Sequence, residues 1–149
     1  MRWDPHVTVA TIVERNNQFL FVEENCSTGA VFNQPAGHWE DKETLIEAAR
    51  RETLEETGWH VAITHLCGIY QWRHPDNAET FLRFCFVGEC LHQDPTRELD
   101  PAIIAVHWLS REQLLQRQQD LRSPMVLRCL VDYLDNHRYP LDFIHSLLS

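Results

Sequence analysis

One segment constrains the fold of this chain more than any other: Gly37 to Trp59, with the sequence GHWEDKETLIEAARRETLEETGW. It holds seven acidic residues against three basic ones. Thr44 and Glu47 have the spacing of a capping box, and good helix formers follow them. Gly58 stands where a left-handed residue ends many helices. The segment therefore predicts an acidic loop that runs into a helix from about residue 45 to residue 57.

Three glutamates of this helix fall on or beside its apolar side. On a helical wheel with Leu45 at 0°, Glu52 lies at about 340°, Glu56 at about 20° and Glu55 at about 280°. Like charges one turn apart repel each other, and a partly buried anion needs a partner. A divalent cation that prefers oxygen ligands, such as Mg²⁺, Mn²⁺ or Ca²⁺, would neutralise the cluster. From helix geometry alone, a solvated acidic helix is an equal alternative.

The length and composition are those of a single globular domain. With 149 residues, of which 44% are hydrophobic and 23% charged, the chain can bury one core. We expect a core at about residues 5–136 and a C-terminal extension at residues 137–149. No apolar run approaches the roughly 20 residues that cross a bilayer, and the first residues lack the apolar stretch of a signal peptide. We therefore expect a cytoplasmic protein with no membrane partner.

The charge and the cysteines narrow the possible partners. A formal net charge of −9 disfavours nucleic acid, because the phosphate backbone would be repelled. A small phosphorylated substrate remains compatible, since a bound metal ion reverses the local field. The five cysteines are scattered without a C-x-x-C pair, which favours free thiols over a zinc site or a disulfide framework.

The order of the predicted elements indicates an α/β fold with a mixed β-sheet sandwiched between helices. Asn33 to Gly37 is predicted to be irregular, because Pro35 lacks an N–H and restricts the residue before it. Gly68 is predicted to form a bulge or bend. The predicted strands are residues 6–14, 18–24, 30–32, 61–72 (one or two strands), 80–89 and 102–109; the predicted helices are residues 45–57, 110–118 and 124–136; and residues 91–101 are predicted to form a polar loop.

Several residues outside the acidic helix are candidates for substrate contacts. Arg83 is conspicuous in a strand that is apolar on both faces, where it could hold a phosphate or form a buried ion pair. Phe32 and Trp72 could stack on a base or a pyrimidine ring, although aromatic residues in strands usually belong to the core. Gln34 and His6 are candidates for polar contacts.

The acidic segment follows the pattern G-x5-E-x7-R-E-U-x-E-E-x-G-U, where U is bulky and apolar, and so resembles the Nudix box. Two U positions depart from the pattern because they hold Thr53 and Trp59, and we expect a packing adjustment there with unchanged chemistry. The resemblance implies that Arg51 orients the carboxylates with Glu43 as its ion-pair partner. The fixed positions that match are Gly37, Glu43, Arg51, Glu52, Glu55, Glu56 and Gly58.

The same resemblance implies a metal site. Glu52, Glu55 and Glu56 would bind Mg²⁺, with Mn²⁺ as a possible substitute. The backbone carbonyl of Gly37 would help, because a residue without a side chain permits close approach. The three glutamates are also candidates for the catalytic base, which the box alone does not settle. Glu98, in the loop before the last predicted strand, is a further candidate ligand or base, with a solvated loop acid as an equal alternative.

The resemblance extends along nearly the whole chain to the NudJ-type subgroup of bacterial Nudix phosphatases. It rests on the stretches HVTV, NQPAGH, QW, FLRF, LRSP and RYPL. It implies an enzyme that releases orthophosphate from nucleoside di- and triphosphates and from hydroxymethylpyrimidine diphosphate, a thiamine precursor. Metal ions would neutralise the phosphates and lower the pKa of a bound water.

Alternatives remain at the level of the substrate and of the class of protein. Specificity in this superfamily lies outside the box, so a pyrophosphatase acting on nucleoside diphosphate-linked compounds or dinucleoside polyphosphates is an open alternative. A domain that binds a nucleotide as a sensor without turnover is another. The expected partner is a small phosphorylated substrate, and the expected assembly is a monomer or a homodimer.

Overall fold

The computed structural model describes residues 2–148, which form seven strands and three helices joined by loops and two short 3-10 turns. None of the helices in this part of the chain is long and apolar enough to cross a membrane. The strands are β1 (His6–Arg15), β2 (Gln18–Cys26), β3 (Gly29–Asn33), β4 (Ala36–His38), β5 (Trp59–Arg73), β6 (Thr80–Gln93) and β7 (Ile103–Ser110); the helices are α1 (Leu45–Thr57), α2 (Arg111–Gln116) and α3 (Pro124–Leu134); the 3-10 turns are Gln118–Asp120 and Leu141–Phe143.

The strands form two connected parts of one sheet. The first part has the order β4-β1-β6-β5, in which β1 and β6 run parallel and the other pairs are antiparallel. The second part has the order β3-β2-β7 and is antiparallel. A short β1–β2 hairpin joins them, and its turn residues Asn16 and Asn17 have φ values of 53° and 62°. Positive φ at both turn residues matches the twist of a two-residue hairpin.

Helices cover the mixed part of the sheet on both faces. Alternation along the strands sends Val9, Leu66 and Phe86 to the face covered by α1, where they pack against Ala48 and Ala49. The neighbouring residues of the same strands point to the other face, which α3 covers. That core contains Ala10, Ile12, Cys67, Cys85, Val87, Val126, Cys129 and Leu130. The predicted sandwich of a mixed sheet between helices is confirmed.

The structure differs from the predicted elements in length and in one strand. Ala36–His38 is a strand that pairs antiparallel with β1, although the stretch up to Gly37 was predicted to be irregular. β6 continues to Gln93, into the predicted polar loop, because β5 pairs with it as far as Trp59. Residues 59–73 form one strand, with a register shift next to Gly68 as predicted. Both of the last helices end about two residues earlier than predicted.

The C-terminal segment packs on the same side as α1. Leu66 and Tyr139 exchange backbone hydrogen bonds of 2.9 and 2.8 Å. Leu141 and Ile144 then contact the core beneath α1. The extension therefore covers part of the apolar surface of β5. The predicted division at residue 136 stays a prediction.

Candidate active site

Local sequence signals position α1. Thr44 Oγ1 accepts the Glu47 N–H at 3.0 Å, and the Glu47 carboxylate accepts the Thr44 N–H at 2.9 Å, so the predicted capping box is confirmed. Gly58 ends the helix with φ of 77°, a conformation that favours glycine, as predicted. The two caps fix where the helix begins and ends. The side chains of Arg51, Glu52 and Glu56 are thereby held against β4.

Arg51 is the centre of a network of acceptors. Its Nε and Nη2 donate to the two oxygens of Glu43 at 2.9 and 2.8 Å, and Nη2 also donates to the His38 carbonyl at 3.0 Å. Its Nη1 donates to Glu52 at 2.8 Å and to Glu55 at 3.2 Å. The hydrogen bonds from Arg51 lower the pKa of Glu43, and those to Glu43 raise the pKa of Arg51. One guanidinium thus braces three carboxylates and the strand beside them.

Glu52 and Glu56 are buried beside β4. Ala36 N–H donates to Glu56 at 2.9 Å, and a Cβ placed on Gly37 would collide with the Glu52 carboxylate. Burial raises the pKa of Glu52 to about 7 and that of Glu56 to about 9. Only a residue without a side chain at position 37 lets the carboxylate lie so close to the backbone. Glu52 and Glu56 are therefore two buried acids beside β4, and the positive charge around them is too small to stabilise their ionised forms.

The burial of the three glutamates follows their positions on the helical wheel. Glu52 and Glu56, near the centre of the apolar stripe, are 9% and 6% exposed. Glu55, about 80° from the reference direction, has a side chain that is 36% exposed. The solvated-helix alternative is therefore wrong for Glu52 and Glu56. It describes Glu55 better, since that carboxylate reaches solvent.

The donor set fits a hard divalent cation. Carboxylate oxygens and a backbone carbonyl are the ligands that Mg²⁺ and Mn²⁺ prefer, and the missing side chain at Gly37 lets the Glu52 carboxylate lie against the backbone. Between residues 2 and 148, no three His, Cys, Asp or Glu side chains already stand together as a ready metal-ligand set. Glu52 and Glu55 instead share Arg51. The residues thus fit a cation by chemistry and burial, and their assignment as ligands stays a prediction.

The other predicted site residues lie in different places. Phe32 is 5% exposed and packs in the core with the Arg117 guanidinium over its ring. Gln34 is 1% exposed and Arg83 4% exposed, so both are inside the protein. Trp72 is half-buried, with its ring stacked on that of Phe81.

Glu98 and His6 lie at the surface near the box. Glu98 is exposed, in the β6–β7 loop, and this loop is held at the end of α1 by a 3.0 Å hydrogen bond from Asp100 N–H to the Glu55 carbonyl. His6 forms a 3.0 Å contact between its ring and that of His38, the residue after Gly37. The loop of Glu98 and the ring of His6 therefore each contact a residue of the box, and the functional roles of Glu98 and His6 stay predictions.

Two residues that the sequence did not single out adjoin the buried acids. Glu24 is 5% exposed, and its charge contributes to the raised pKa of Glu56. Arg122 Nη1 donates to Glu24 at 2.6 Å. The backbone places Arg122 there, because its N–H donates to the Phe32 carbonyl at 2.8 Å. Arg122 belongs to the stretch LRSP, but its partner Glu24 lies 98 residues away in the sequence, so no local pattern connects the two.

Two cavities lie beside α3. One of about 750 Å³ is lined by residues of β5, α3 and the C-terminal segment. The other, of about 830 Å³, is lined by the β5–β6 turn, α3 and the residues before it, including Arg122. Trp72 lines both. None of the box glutamates is among the residues that line them.

Comparison with known proteins assigns the family. The NUDIX domain matches residues 4–129. Phosphatase NudJ of Escherichia coli strain K12 is 45% identical over 140 residues, which are 94% of this chain and 90% of that protein. Phosphatase NudJ of Shigella flexneri matches to the same extent.

Solved structures agree with this assignment. A NUDIX hydrolase from Nitrosomonas europaea superposes with a TM-score of 0.93 and 42% identity, covering 96% of this chain and 97% of that one. A UDP-X diphosphatase, at 16% identity and a TM-score of 0.73, covers 94% of this chain and 68% of that one and shares the fold alone. Nudix hydrolases generally use divalent metal ions. The chain therefore belongs to the Nudix family and is a hydrolase of phosphoanhydride substrates.

Proposed function

We propose that this enzyme is a Mg²⁺-dependent phosphatase of nucleoside di- and triphosphates and of related small diphosphates such as hydroxymethylpyrimidine diphosphate, from which it releases orthophosphate. One observation carries the proposal: two buried carboxylates, Glu52 and Glu56, lie beside Gly37 in a chain that is 45% identical to a phosphatase. Such a pair is costly to bury unless a cation joins it. Mn²⁺ is a possible substitute, because it takes the same oxygen ligands.

The cation would be held by Glu52, Glu55, Glu56 and the Gly37 carbonyl. When bound, it would neutralise the phosphate oxygens and lower the pKa of the attacking water. Arg51 holds Glu52 and Glu55 in place at 2.8 and 3.2 Å. Positioning and charge neutralisation are the main contributions that a protein makes to phosphoryl transfer.

The proton of the attacking water needs an acceptor at the solvent edge of the site. Glu55 is the box glutamate that stays partly exposed, and the loop that carries Glu98 is hydrogen-bonded to the Glu55 backbone. Either carboxylate could accept this proton while the water oxygen bonds to the terminal phosphorus and the anhydride bond from that phosphorus to the bridging oxygen breaks. Hydrolysis then gives orthophosphate and the shortened phosphate ester. Kinetics of Glu98→Gln separate the two: a fall in kcat at an unchanged Mg²⁺ requirement would assign the acceptor to Glu98, and a wild-type kcat would assign it to Glu55.

Trp72 is the best placed of the predicted aromatic contacts. It is half-buried and borders both cavities, whereas Phe32 is enclosed in the core. An aromatic ring at a cavity wall can stack on a base or a pyrimidine. Trp72→Ala is expected to raise KM for nucleotides about tenfold, a change of roughly 1.4 kcal/mol, with little change in kcat.

A substrate panel tests the proposed reaction. Nucleoside di- and triphosphates, hydroxymethylpyrimidine diphosphate, a nucleoside diphosphate sugar and a dinucleoside polyphosphate are incubated with Mg²⁺, and orthophosphate and pyrophosphate are assayed separately. We expect orthophosphate together with a nucleoside diphosphate from a triphosphate. Nucleoside monophosphate together with pyrophosphate would instead establish the pyrophosphatase alternative.

The metal mechanism has its own test. Glu55→Gln and Glu56→Gln keep the shape of each side chain and remove its charge. Both variants are expected to lose most hydrolysis at saturating Mg²⁺. Wild-type rates in both would show that the cation is not held there. The sensor alternative is disfavoured by membership of a hydrolase family, and turnover in the substrate panel excludes it.

A further inference from the structure

Arg83 is a buried cation without a carboxylate partner. It lies in the central strand β6, opposite Thr8 of β1 and Tyr70 of β5, and is 4% exposed. Within residues 2–148, no Asp or Glu oxygen lies within 4.0 Å of its guanidinium nitrogens. A buried charge of this kind is unfavourable for stability, and an apolar side chain would fit a strand core better. The presence of Arg83 in this strand therefore needs a structural reason other than core packing.

The guanidinium instead holds two amide side chains. Arg83 Nη1 donates to Gln34 Oε1 at 2.9 Å, and Nη2 donates to Asn33 Oδ1 at 3.1 Å. Its Nε has no hydrogen-bond partner among the described residues. The planar fork of arginine reaches two acceptors at once, which a lysine ammonium on a flexible stem does not do with the same geometry. The last residue of β3 and the first residue of the loop after it are thus fixed by one side chain.

The loop is also held from the other side. Gln34 is 1% exposed, and its Nε2 donates to the Val126 carbonyl of α3 at 2.8 Å. Arg83, Gln34 and Val126 therefore form a buried polar chain from β6 to α3. Both ends of the Gln34 amide are used, so this side chain has one orientation.

The next residues of the chain support the buried carboxylates. Pro35 accepts the Thr11 N–H at 3.0 Å, Ala36 N–H donates to Glu56 at 2.9 Å, and Gly37 contacts Glu52. Consecutive Cα atoms are about 3.8 Å apart, so only two peptide steps separate Gln34 from Ala36. A displacement of the Asn33–Gln34 amides would reach the carboxylates with little attenuation.

We propose that Arg83 is a positioning residue of the cation site: it holds Asn33 and Gln34 so that the backbone of Ala36 and Gly37 meets Glu56 and Glu52. The proposal rests on the proposed cation-dependent function. Arg83 acts through the loop and touches neither the cation nor the phosphate. Residues that orient metal ligands without binding the metal typically change affinity or activity by 10- to 100-fold.

The test measures the affinity of the full-length protein for Mn²⁺ alone, by calorimetry and without substrate. Arg83→Lys is expected to raise the Mn²⁺ dissociation constant about tenfold, and Asn33→Ala, which leaves the bond to Gln34, is expected to raise it less. Val87→Ala is the matched control, because Val87 is buried on the same face of the same strand and has no link to the loop. It should lower Tm without changing the Mn²⁺ dissociation constant.

Kinetics separate positioning from direct phosphate binding. Arg83→Lys should increase the Mg²⁺ concentration for half-maximal rate about tenfold while KM for the nucleotide at saturating Mg²⁺ changes less than twofold. Unchanged Mn²⁺ affinity with a raised KM would overturn the proposal in favour of a phosphate contact, and a loss of Tm alone would reduce Arg83 to a core residue. If Arg83→Lys does not fold, wild-type Mn²⁺ affinity in Asn33→Ala overturns the proposal. A wild-type protein that binds Mn²⁺ but hydrolyses nothing in the substrate panel would refute the proposed function. The Mn²⁺ affinities of the Arg83→Lys and Asn33→Ala variants would still test the positioning role.

Discussion

Two carboxylates of the same segment, Glu43 and Glu56, meet opposite environments. Glu43 accepts two N–H groups of Arg51 and the Glu40 backbone N–H at 2.8 to 2.9 Å, and its pKa is lowered. Glu56 accepts the Ala36 N–H, and burial raises its pKa to about 9. Glu43 is therefore satisfied by the protein itself, whereas Glu56 is at a disadvantage until a cation joins it. Within one motif, Glu43 is therefore expected to stabilise the fold, and Glu56 is expected to serve the proposed cation site.

The largest effect should come from removing the charge of Glu56. Glu56→Gln keeps the acceptor for the Ala36 N–H and takes away a cation ligand, so the hydrolysis rate is expected to fall by about 10²-fold or more. Without metal, the free energy of unfolding should stay the same or rise by on the order of 1 kcal/mol, because the variant lacks a buried acid that has no cationic partner. Steady-state kinetics and urea unfolding measure the two quantities. A Glu56→Gln variant that keeps its activity but loses stability would show that Glu56, like Glu43, mainly stabilises the fold.

Cation binding should have the next largest effect. If Glu56 needs a cation, Mg²⁺ at about 100 times its dissociation constant stabilises the wild-type protein by about 2.7 kcal/mol. The thermal midpoint is followed in Mg²⁺ and in EDTA, and Glu56→Gln is the control in which the increase should largely disappear. Equal increases in both proteins would place the cation somewhere else.

Glu43→Gln should lower stability more than Glu56→Gln does and should lower the hydrolysis rate less. The change leaves one acceptor oxygen but removes the ion pair with the mostly buried Arg51, so the free energy of unfolding is expected to fall by about 1–2 kcal/mol. The rate should fall only about tenfold, because Glu43 acts on the site through Arg51. Unfolding and kinetics measured as for Glu56→Gln give the comparison directly. A larger loss of rate than in Glu56→Gln would contradict the division of roles.

The parts of the fold that depend on local chemistry could be predicted from the sequence. The capping box at Thr44 and the left-handed Gly58 follow from residues within one turn of each helix end. The ranking of Glu52, Glu55 and Glu56 by burial follows from helical periodicity.

Features that depend on distant partners could not be predicted. The strand at Ala36–His38 exists because β1 pairs with it, which the irregular sequence around Pro35 conceals. β6 is long because β5 runs beside it through several register shifts. The acceptors of Arg83 lie 49 and 50 residues away and are amides, so the alternative of a buried ion pair is wrong. Tertiary contacts at such separations leave no periodic signal in a single sequence.

The smallest effect should come from Thr53, where the chain departs from the apolar box pattern. Thr53 is fully buried, and its Oγ1 donates to the Ala49 carbonyl at 2.8 Å, one helical turn back. This bond satisfies the hydroxyl inside the helix, which explains how a polar residue occupies an apolar position. Thr53→Val replaces the hydroxyl with a methyl of similar size, so stability should change by less than about 1 kcal/mol and the rate by less than about twofold.

Urea unfolding and kinetics of Thr53→Val decide whether this position mainly affects stability, as expected for Glu43, or mainly affects the rate, as expected for Glu56. A loss of stability beyond about 2 kcal/mol would show that the hydroxyl carries structural weight comparable to that of the Arg51–Glu43 pair. A tenfold loss of rate at unchanged stability would show that it tunes the carboxylates next to it in the helix. Near-wild-type values in both measurements would confirm that Thr53 is a packing adjustment, and that the chemistry of the segment depends on its fixed charged residues and on Gly37.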